Sequence, residues 1–284
     1  MLPETERAFT EAGFFRIVQP RAFGGYELPI DVLIDVAVEI GRHSGSDAWT
    51  LALVSLHTWV AGLWPEQAQR EFFAAGGELR LPIALAPTGK VAQVDGGWRL
   101  TGTWGYASGV DIANWVGVAG MDPTVPAGAP PRVLTFIVPR ADVKVVDDWH
   151  VLGLRGTGSK TVTVTDLFVP AHRAQSMAEM ESKGAPGHAL NRSPWFRGVP
   201  RVPIFALCGV SPAVGIARGM LDDCIERVKT KRNPYMQKGQ AEQVTSQVRL
   251  ARAAALVDAA EALLKGDAAA YMALASDPAA ITLE

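Results

Sequence analysis

From residue 3 to about 78, apolar residues recur at spacings of three and four, broken by Gly13, Pro20, Gly24-Gly25, Pro29, Gly41 to Gly45 and Pro65. That spacing marks one face of a helix, and Gly and Pro interrupt it, so the stretch predicts four short helices. The third, Asp47 to Gly62, takes Ser46 or Asp47 as its N-cap and is apolar on nearly every face, through Trp49, Leu51, Leu53, Val54, Leu56, Trp59 and Val60. A helix without a polar face is buried on all sides.

From 80 to about 176 the helical period gives way to alternation of period two, with frequent Pro and Gly. Val91 to Leu100 reads as a hairpin around Asp95-Gly96-Gly97. Trp115 to Gly120, Val133 to Val138 and Thr161 to Val169 supply further strands. Several short strands with no helix between them predict an antiparallel barrel or sandwich. Helical periodicity then returns in Pro203 to Thr230 and about Ala241 to Ala275, joined by a polar turn containing Asn233-Pro234. The expected fold class is therefore α+β: an N-terminal helical domain (1–79), a central antiparallel β domain (80–176) and a C-terminal helical bundle (177–284). A stable antiparallel bundle needs about four helices, so this last domain is expected to be incomplete, or to be finished by a partner subunit.

Composition narrows the function classes. The 27 Lys and Arg against 29 Asp and Glu leave a net charge of −2, with no basic face for nucleic acid. A hydrophobic fraction of 48% with 20% charged residues excludes disorder. Cys208 and Cys224 belong to no CxxC or Cys/His cluster and read as free thiols in a reducing compartment. The segment Leu2-Pro3-Glu4-Thr5-Glu6-Arg7 resembles no signal sequence, and the expectation is a cytoplasmic protein that does not enter a membrane. Five scattered histidines give no metal-binding spacing.

The most informative stretch is Gly102-Thr103-Trp104-Gly105-Tyr106-Ala107-Ser108-Gly109-Val110-Asp111-Ile112-Ala113-Asn114-Trp115. Aromatic residues beside small ones, with a hydroxyl among them, can form a flat slot for a planar ring; equally, they can be a strand end with a turn at Ser108-Gly109.

This segment resembles the flavin-framing strand of the acyl-CoA dehydrogenase superfamily, written W-I-T-N followed by A-N-W. Asn114-Trp115 matches the later Trp, which sets Tyr106 at the first aromatic position and Ser108 at the hydroxyl position. Phe14 to Pro20 with Gly24-Gly25, Ala86-Pro87-Thr88-Gly89, and Trp149 to Lys160 with Val169-Pro170 extend the resemblance over nearly the whole chain. Within the superfamily it is most similar to the oxygenase components of two-component flavin monooxygenases, the 4-hydroxyphenylacetate and secosteroid phenol hydroxylase branch. Ser55-Leu56-His57-Thr58-Trp59, Pro65-Glu66-Gln67-Ala68 and the Gly-Thr-Gly-Ser loop at Gly156 to Ser159 carry that likeness. The dehydrogenases' T-E-P-x-x-G-S-D appears instead as Leu85-Ala86-Pro87-Thr88-Gly89-Lys90, without the acidic residue or the Ser-Asp pair. Acyl-CoA oxidation on bound FAD is thus the second alternative, and an inactive flavin-binding or assembly subunit the third.

The resemblance implies reduced FMN or FAD from a separate flavin reductase, O₂ as co-substrate, a flavin C4a-hydroperoxide as oxygen donor, an aromatic or hydrophobic small-molecule substrate and a homotetramer. It implies that Ser108 bonds flavin N5 and that Tyr106 and Ala107 flank the ring. The backbone of Ala84, Leu85, Pro87 and Thr88 is expected along the pyrimidine edge. Arg232 and Tyr235 take the places of an Arg and a Phe that meet the cofactor phosphate across a subunit boundary; an Arg at a helix end is also an ordinary solvated charge. His57 is either a hydrogen-bonded core residue or the group that binds a substrate hydroxyl and assists its deprotonation. Arg155 to Ser159 is either a phosphate nest or a turn between strands.

Overall fold

The computed structural model describes residues 1–74, 77–197, 201–232 and 239–277. Four helices open the chain: α1 (Pro3–Glu11), α2 (Ile30–Gly41), α3 (Gly45–Ala61) and α4 (Glu66–Phe72). In α2 the buried Ile30, Leu33, Ile34, Ala37, Val38 and Gly41 fall on one face. That face packs on α7 (Arg201–Thr230). A Cβ on Gly41 would stand 2.9 Å from the Pro212 carbonyl oxygen, and one on Gly215 2.2 Å from that of Val38. Glycine at both positions lets the two backbones approach.

The N-cap of α3 is Ser44, neither of the residues expected, and its Oγ accepts from the Asp47 N–H. The Ser44 hydroxyl in turn donates to Asp47 Oδ2 at 2.7 Å. This reciprocal cap three residues apart draws the polar first turn into the helix ahead of the apolar run. Nearly every residue from Thr50 to Ala61 is buried, as an all-apolar helix requires.

Seven strands follow: β1 (Ile83–Val94), β2 (Gly97–Ala107), β3 (Trp115–Met121), β4 (Val133–Pro139), β5 (Lys144–Val146), β6 (Lys160–Pro170) and β7 (Ala174–Gln175). They form a single sheet in the order β5-β6-β2-β1-β3-β4-β7. The β1–β2 hairpin turns at Asp95-Gly96, with Gly96 at φ +73°. The expectation of a wholly antiparallel domain is corrected at one pair, since β1 and β3 run parallel. The cause is that β1 changes partner along its length: its first half pairs with β3, and from Lys90 it pairs with β2.

After the short helices α5 (Met177–Lys183) and α6 (Pro194–Arg197), α7 is followed by α8 (Val244–Ser276). Pro212 lies inside α7 and brings no N–H for the Cys208 carbonyl, which accepts from the Ser211 hydroxyl at 2.8 Å instead. A stretch of α7 is apolar and long enough to cross a membrane, yet it packs against α2, α3 and α8. One hydrophobic core joins the helices from both ends of the chain to Leu79, Leu81 and Ile83; a second lies within the sheet around Leu100, Trp104, Phe136 and Val162.

Candidate active site

At the end of β2 the buried Trp104 donates its indole N–H to the Ala119 carbonyl at 2.7 Å, which fixes the strand. Two residues later Tyr106 is 77% exposed and takes φ +64°, an uncommon conformation for a bulky residue that its surroundings must hold. Its ring meets Trp149 edge to face, with centroids 6.0 Å apart. The chain then turns through Ser108 and Gly109. Gly109 has φ +84°, and a Cβ there would lie 2.9 Å from Val54 Cγ2 and 3.0 Å from Thr50 Cγ2 of α3. Its N–H donates to the Thr157 carbonyl at 2.8 Å.

Ser108 is buried with two side-chain partners that the sequence pattern does not connect to it. Trp49 of α3 donates its indole N–H to Ser108 Oγ at 3.2 Å, and Ser108 Oγ lies 2.7 Å from Ser159 Oγ. Ser159 Oγ lies 2.6 Å from Thr157 Oγ1, which donates to the Leu154 carbonyl at 2.9 Å. An indole N–H usually finds an acceptor, but Trp59 of the same helix carries that signal too and its buried N–H has none, so the sequence does not single out Trp49. Arg155–Thr157 form a short 3₁₀ turn, with Gly158 in the left-handed region. The Gly156 N–H donates to Ser46 Oγ and the Thr157 N–H to the Leu154 carbonyl, so these amides are occupied. Beside the turn opens a cleft of about 440 Å³, lined by Ser46, Asp47, Asp111, Trp149, Arg155 and Lys160 among others.

The neighbouring wall comes from β1. Its pairing with β3 skips from Ala84 to Thr88, leaving Leu85, Ala86 and Pro87 without cross-strand partners. Ala84 is buried, while Leu85, Pro87 and Thr88 are exposed. The hairpin register that pairs Lys90 with Thr101 is still followed by the Thr88 hydroxyl, which donates to the Thr103 carbonyl at 2.8 Å. Nearer its start β1 pairs with β3 instead, and Ala84 and Ala107 both lie in the core within the sheet. The domain thus carries an exposed aromatic at the end of β2 and, in β1, a bulge whose Leu85 and Ala86 lie between the paired residues. Those features fit the ring and polar edge of a flavin.

His57 lies eight residues beyond Trp49 on α3, about 12 Å along its axis. It is 4% exposed, and its Nδ1 is 3.0 Å from the Leu81 carbonyl just before β1. A carbonyl only accepts, so Nδ1 carries the proton and Nε2 is the acceptor nitrogen. Burial pushes the imidazole pKa down to about 4, against the raising effect of that hydrogen bond, and the ring is neutral at pH 7. Phe205 of α7 packs 5.8 Å from it, centroid to centroid.

The structure therefore brings Ser108, next in the chain to Tyr106 and Ala107, together with Trp49, Ser159 and Thr157, and places Ala84 in the same core as Ala107, while His57 lies two turns beyond Trp49 on α3. Arg232 is exposed beyond the end of α7, bridged to Gly239, roughly 40 Å of helix rise from Phe205. Within one chain it does not share this site. Tyr235 lies outside the described residues.

The pattern of the family described as "Acyl-CoA dehydrogenase, C-terminal domain" matches residues 207–284. The oxygenase subunit HsaA of a flavin-dependent monooxygenase from Rhodococcus jostii is 34% identical over 95% of this chain and 70% of its own length. The oxygenase component of an FADH₂-dependent resorcinol hydroxylase from a Rhizobium species is 35% identical over 92% of this chain and 65% of its own. Among solved structures, XiaF from a Streptomyces species, in complex with FADH₂ and glycerol, superposes with a TM-score of 0.90 at 28% identity, covering 99% of this chain and 71% of that one. The exposed aromatic, buried serine and bulged strand thus occur in a chain that resembles these proteins along almost its entire length, and it belongs to the oxygenase components of flavin-dependent monooxygenases built on the acyl-CoA dehydrogenase fold.

Proposed function

We propose that this protein is the oxygenase component of a two-component monooxygenase that hydroxylates an aromatic or similarly hydrophobic small molecule, using reduced FMN or FAD delivered by a separate reductase. The observation that carries the proposal is the end of β2, where the exposed Tyr106 precedes the buried, hydrogen-bonded hydroxyl of Ser108. Bound reduced flavin supplies the chemistry, activating O₂ so that one oxygen atom reaches the substrate.

The protein's own residues bind, orient and exclude water. Tyr106 and Ala107 flank the ring, and the backbone of Ala84, Leu85, Pro87 and Thr88 borders its pyrimidine edge. There the Leu85 amide is a donor and Pro87 has none to give. Ser108 holds the N5 position. His57 accepts the hydrogen of a substrate hydroxyl through Nε2. With a pKa near 4 it orients that hydroxyl and polarises its O–H bond, and does not carry away a full proton. Arg232, at the exposed end of α7, is placed to meet the cofactor phosphate of a neighbouring subunit in a homotetramer. The apolar groove of about 390 Å³ between α7 and α8, lined by Leu207, Val210, Leu263 and Tyr271 among others, supports association over that face.

Rapid mixing of the protein and reduced flavin with O₂ tests the proposal. The expected result is a long-lived absorbance distinct from reduced and oxidised flavin, which decays with hydroxylated product when a phenol is present. Immediate return to oxidised flavin with peroxide release, whatever phenol is added, would sink it.

A further inference from the structure

The hydroxyls around Ser108 form a chain whose direction is fixed from one end. The Leu154 carbonyl can only accept, and of its three donors the Thr157 hydroxyl at 2.9 Å is nearer than the Trp149 indole N–H at 3.1 Å and the Thr157 N–H at 3.2 Å, so Thr157 Oγ1 spends its single proton there. Thr157 therefore accepts from Ser159 at 2.6 Å, and Ser159, its proton spent, accepts from Ser108 at 2.7 Å. At the other end the Trp49 indole N–H can only donate, and it donates to Ser108 at 3.2 Å. All three hydroxyl residues are buried: Thr157 is 1%, Ser159 5% and Ser108 9% exposed. Water therefore has little access with which to scramble the order. Ser108 receives one hydrogen bond, gives its only proton away from the site, and keeps one lone pair to offer.

From this polarity we infer that Trp49, Ser159 and Thr157 are positioning residues that make Ser108 an acceptor-only group, so that the site selects reduced over oxidised flavin. The inference rests on the proposal that Ser108 faces flavin N5. Reduced flavin carries a hydrogen on N5 and can donate to the remaining lone pair of Ser108. Oxidised flavin has only a lone pair at N5, which meets the serine lone pair unfavourably. An enzyme fed by a separate reductase has reason to discriminate this way, since spent or stray oxidised flavin would otherwise occupy the site.

The chain can be broken without touching Ser108. Thr157→Val keeps the shape but removes the acceptor for Ser159, which is then free to turn and donate to Ser108. Ser159→Ala removes the acceptor of Ser108 outright. Either change frees the Ser108 proton for oxidised N5, whereas Thr157→Ser keeps the relay. One net hydrogen bond gained by the oxidised form corresponds to about fivefold tighter binding.

The measurement is the ratio of dissociation constants for oxidised and reduced FMN and FAD, by anaerobic titration, alongside the indole N–H resonance of Trp49 in the flavin-free protein. The expected result is a ratio that falls about fivefold or more in Thr157→Val and Ser159→Ala and stays at the wild-type value in Thr157→Ser. The Trp49 resonance should shift in the first two variants. If reduced flavin still binds and the ratio does not move, the relay has no such role and the inference is overturned. If the wild-type protein binds neither form of either flavin, the functional proposal itself fails and takes this one with it.

Discussion

At its N-terminal end α3 is set by directed polar groups: the Ser44 cap on its own first turn, the Ser46 hydroxyl under Gly156, and the Trp49 indole on Ser108. Its C-terminal half sits in the largest core, where Leu56, Trp59, Val60 and Ala61 are almost wholly buried and His57 is a neutral ring in their midst. Apolar burial is roughly proportional to area and indifferent to angle, whereas hydrogen bonds weaken steeply off-axis. One end of the helix thus secures that the protein folds, and the other secures where a single hydroxyl points. The contrast predicts that substitutions at the two ends separate stability from chemistry.

The largest effect should come from the core end. Trp59→Ala removes one of the largest fully buried side chains and should cost about 3–5 kcal/mol, read from the midpoint of denaturant unfolding. Next comes His57. Its folded pKa, near 4, lies below the ordinary value of 6.5, so the unfolded chain binds a proton that the folded one refuses. Its contribution is full above about pH 6.5 and is lost as pH falls towards 4. The span is worth about 3 kcal/mol, and the slope of stability against pH in that window should flatten in His57→Gln. If the slope persists unchanged in the variant, His57 is not the group responsible.

At the boundary between the two ends, Gly109→Ala forces a side chain into a left-handed turn against Val54 and Thr50. About 2 kcal/mol of stability should be lost, together with weaker flavin binding, since both halves of the contrast meet there. The smallest stability change is expected at the polar end. Ser108→Ala should cost about 1 kcal/mol while lowering hydroxylated product per flavin oxidised several-fold. A large stability loss with unaltered product yield would invert the comparison.

The same division explains what was legible in the sequence. The burial of α3 follows from its lack of a polar face, and the β1–β2 hairpin follows from Asp95-Gly96-Gly97, because both are local patterns. The Ser44 cap lay one turn ahead of the apolar run that betrays the helix. Strands β5 and β7, three and two residues long, are too short to show a period. The parallel β1–β3 pair was hidden because the connection runs back through β2 rather than through a crossover helix, the usual mark of parallel strands. At the candidate site, the assignment of Tyr106, Ala107 and Ser108 rests on resemblance to a motif. Trp49 and Ser159, 59 and 51 residues from Ser108, are joined to it only by the fold.

The change of partner along β1 has a consequence for how this wall tolerates variation. Leu85, Ala86 and Pro87 fill the gap in which the strand leaves β3 and begins to join β2, and they offer main-chain atoms there. Replacing their side chains leaves those atoms where they are, which suits a segment that departs from the dehydrogenases' sequence at most positions. Removing one residue would shift the part of β1 paired with β3 against the part paired with β2, and turn the side chains on one side of the gap to the opposite face of the sheet. This stretch of the wall is specified by a count of residues more than by their identities, so substitutions should accumulate there and insertions or deletions should not.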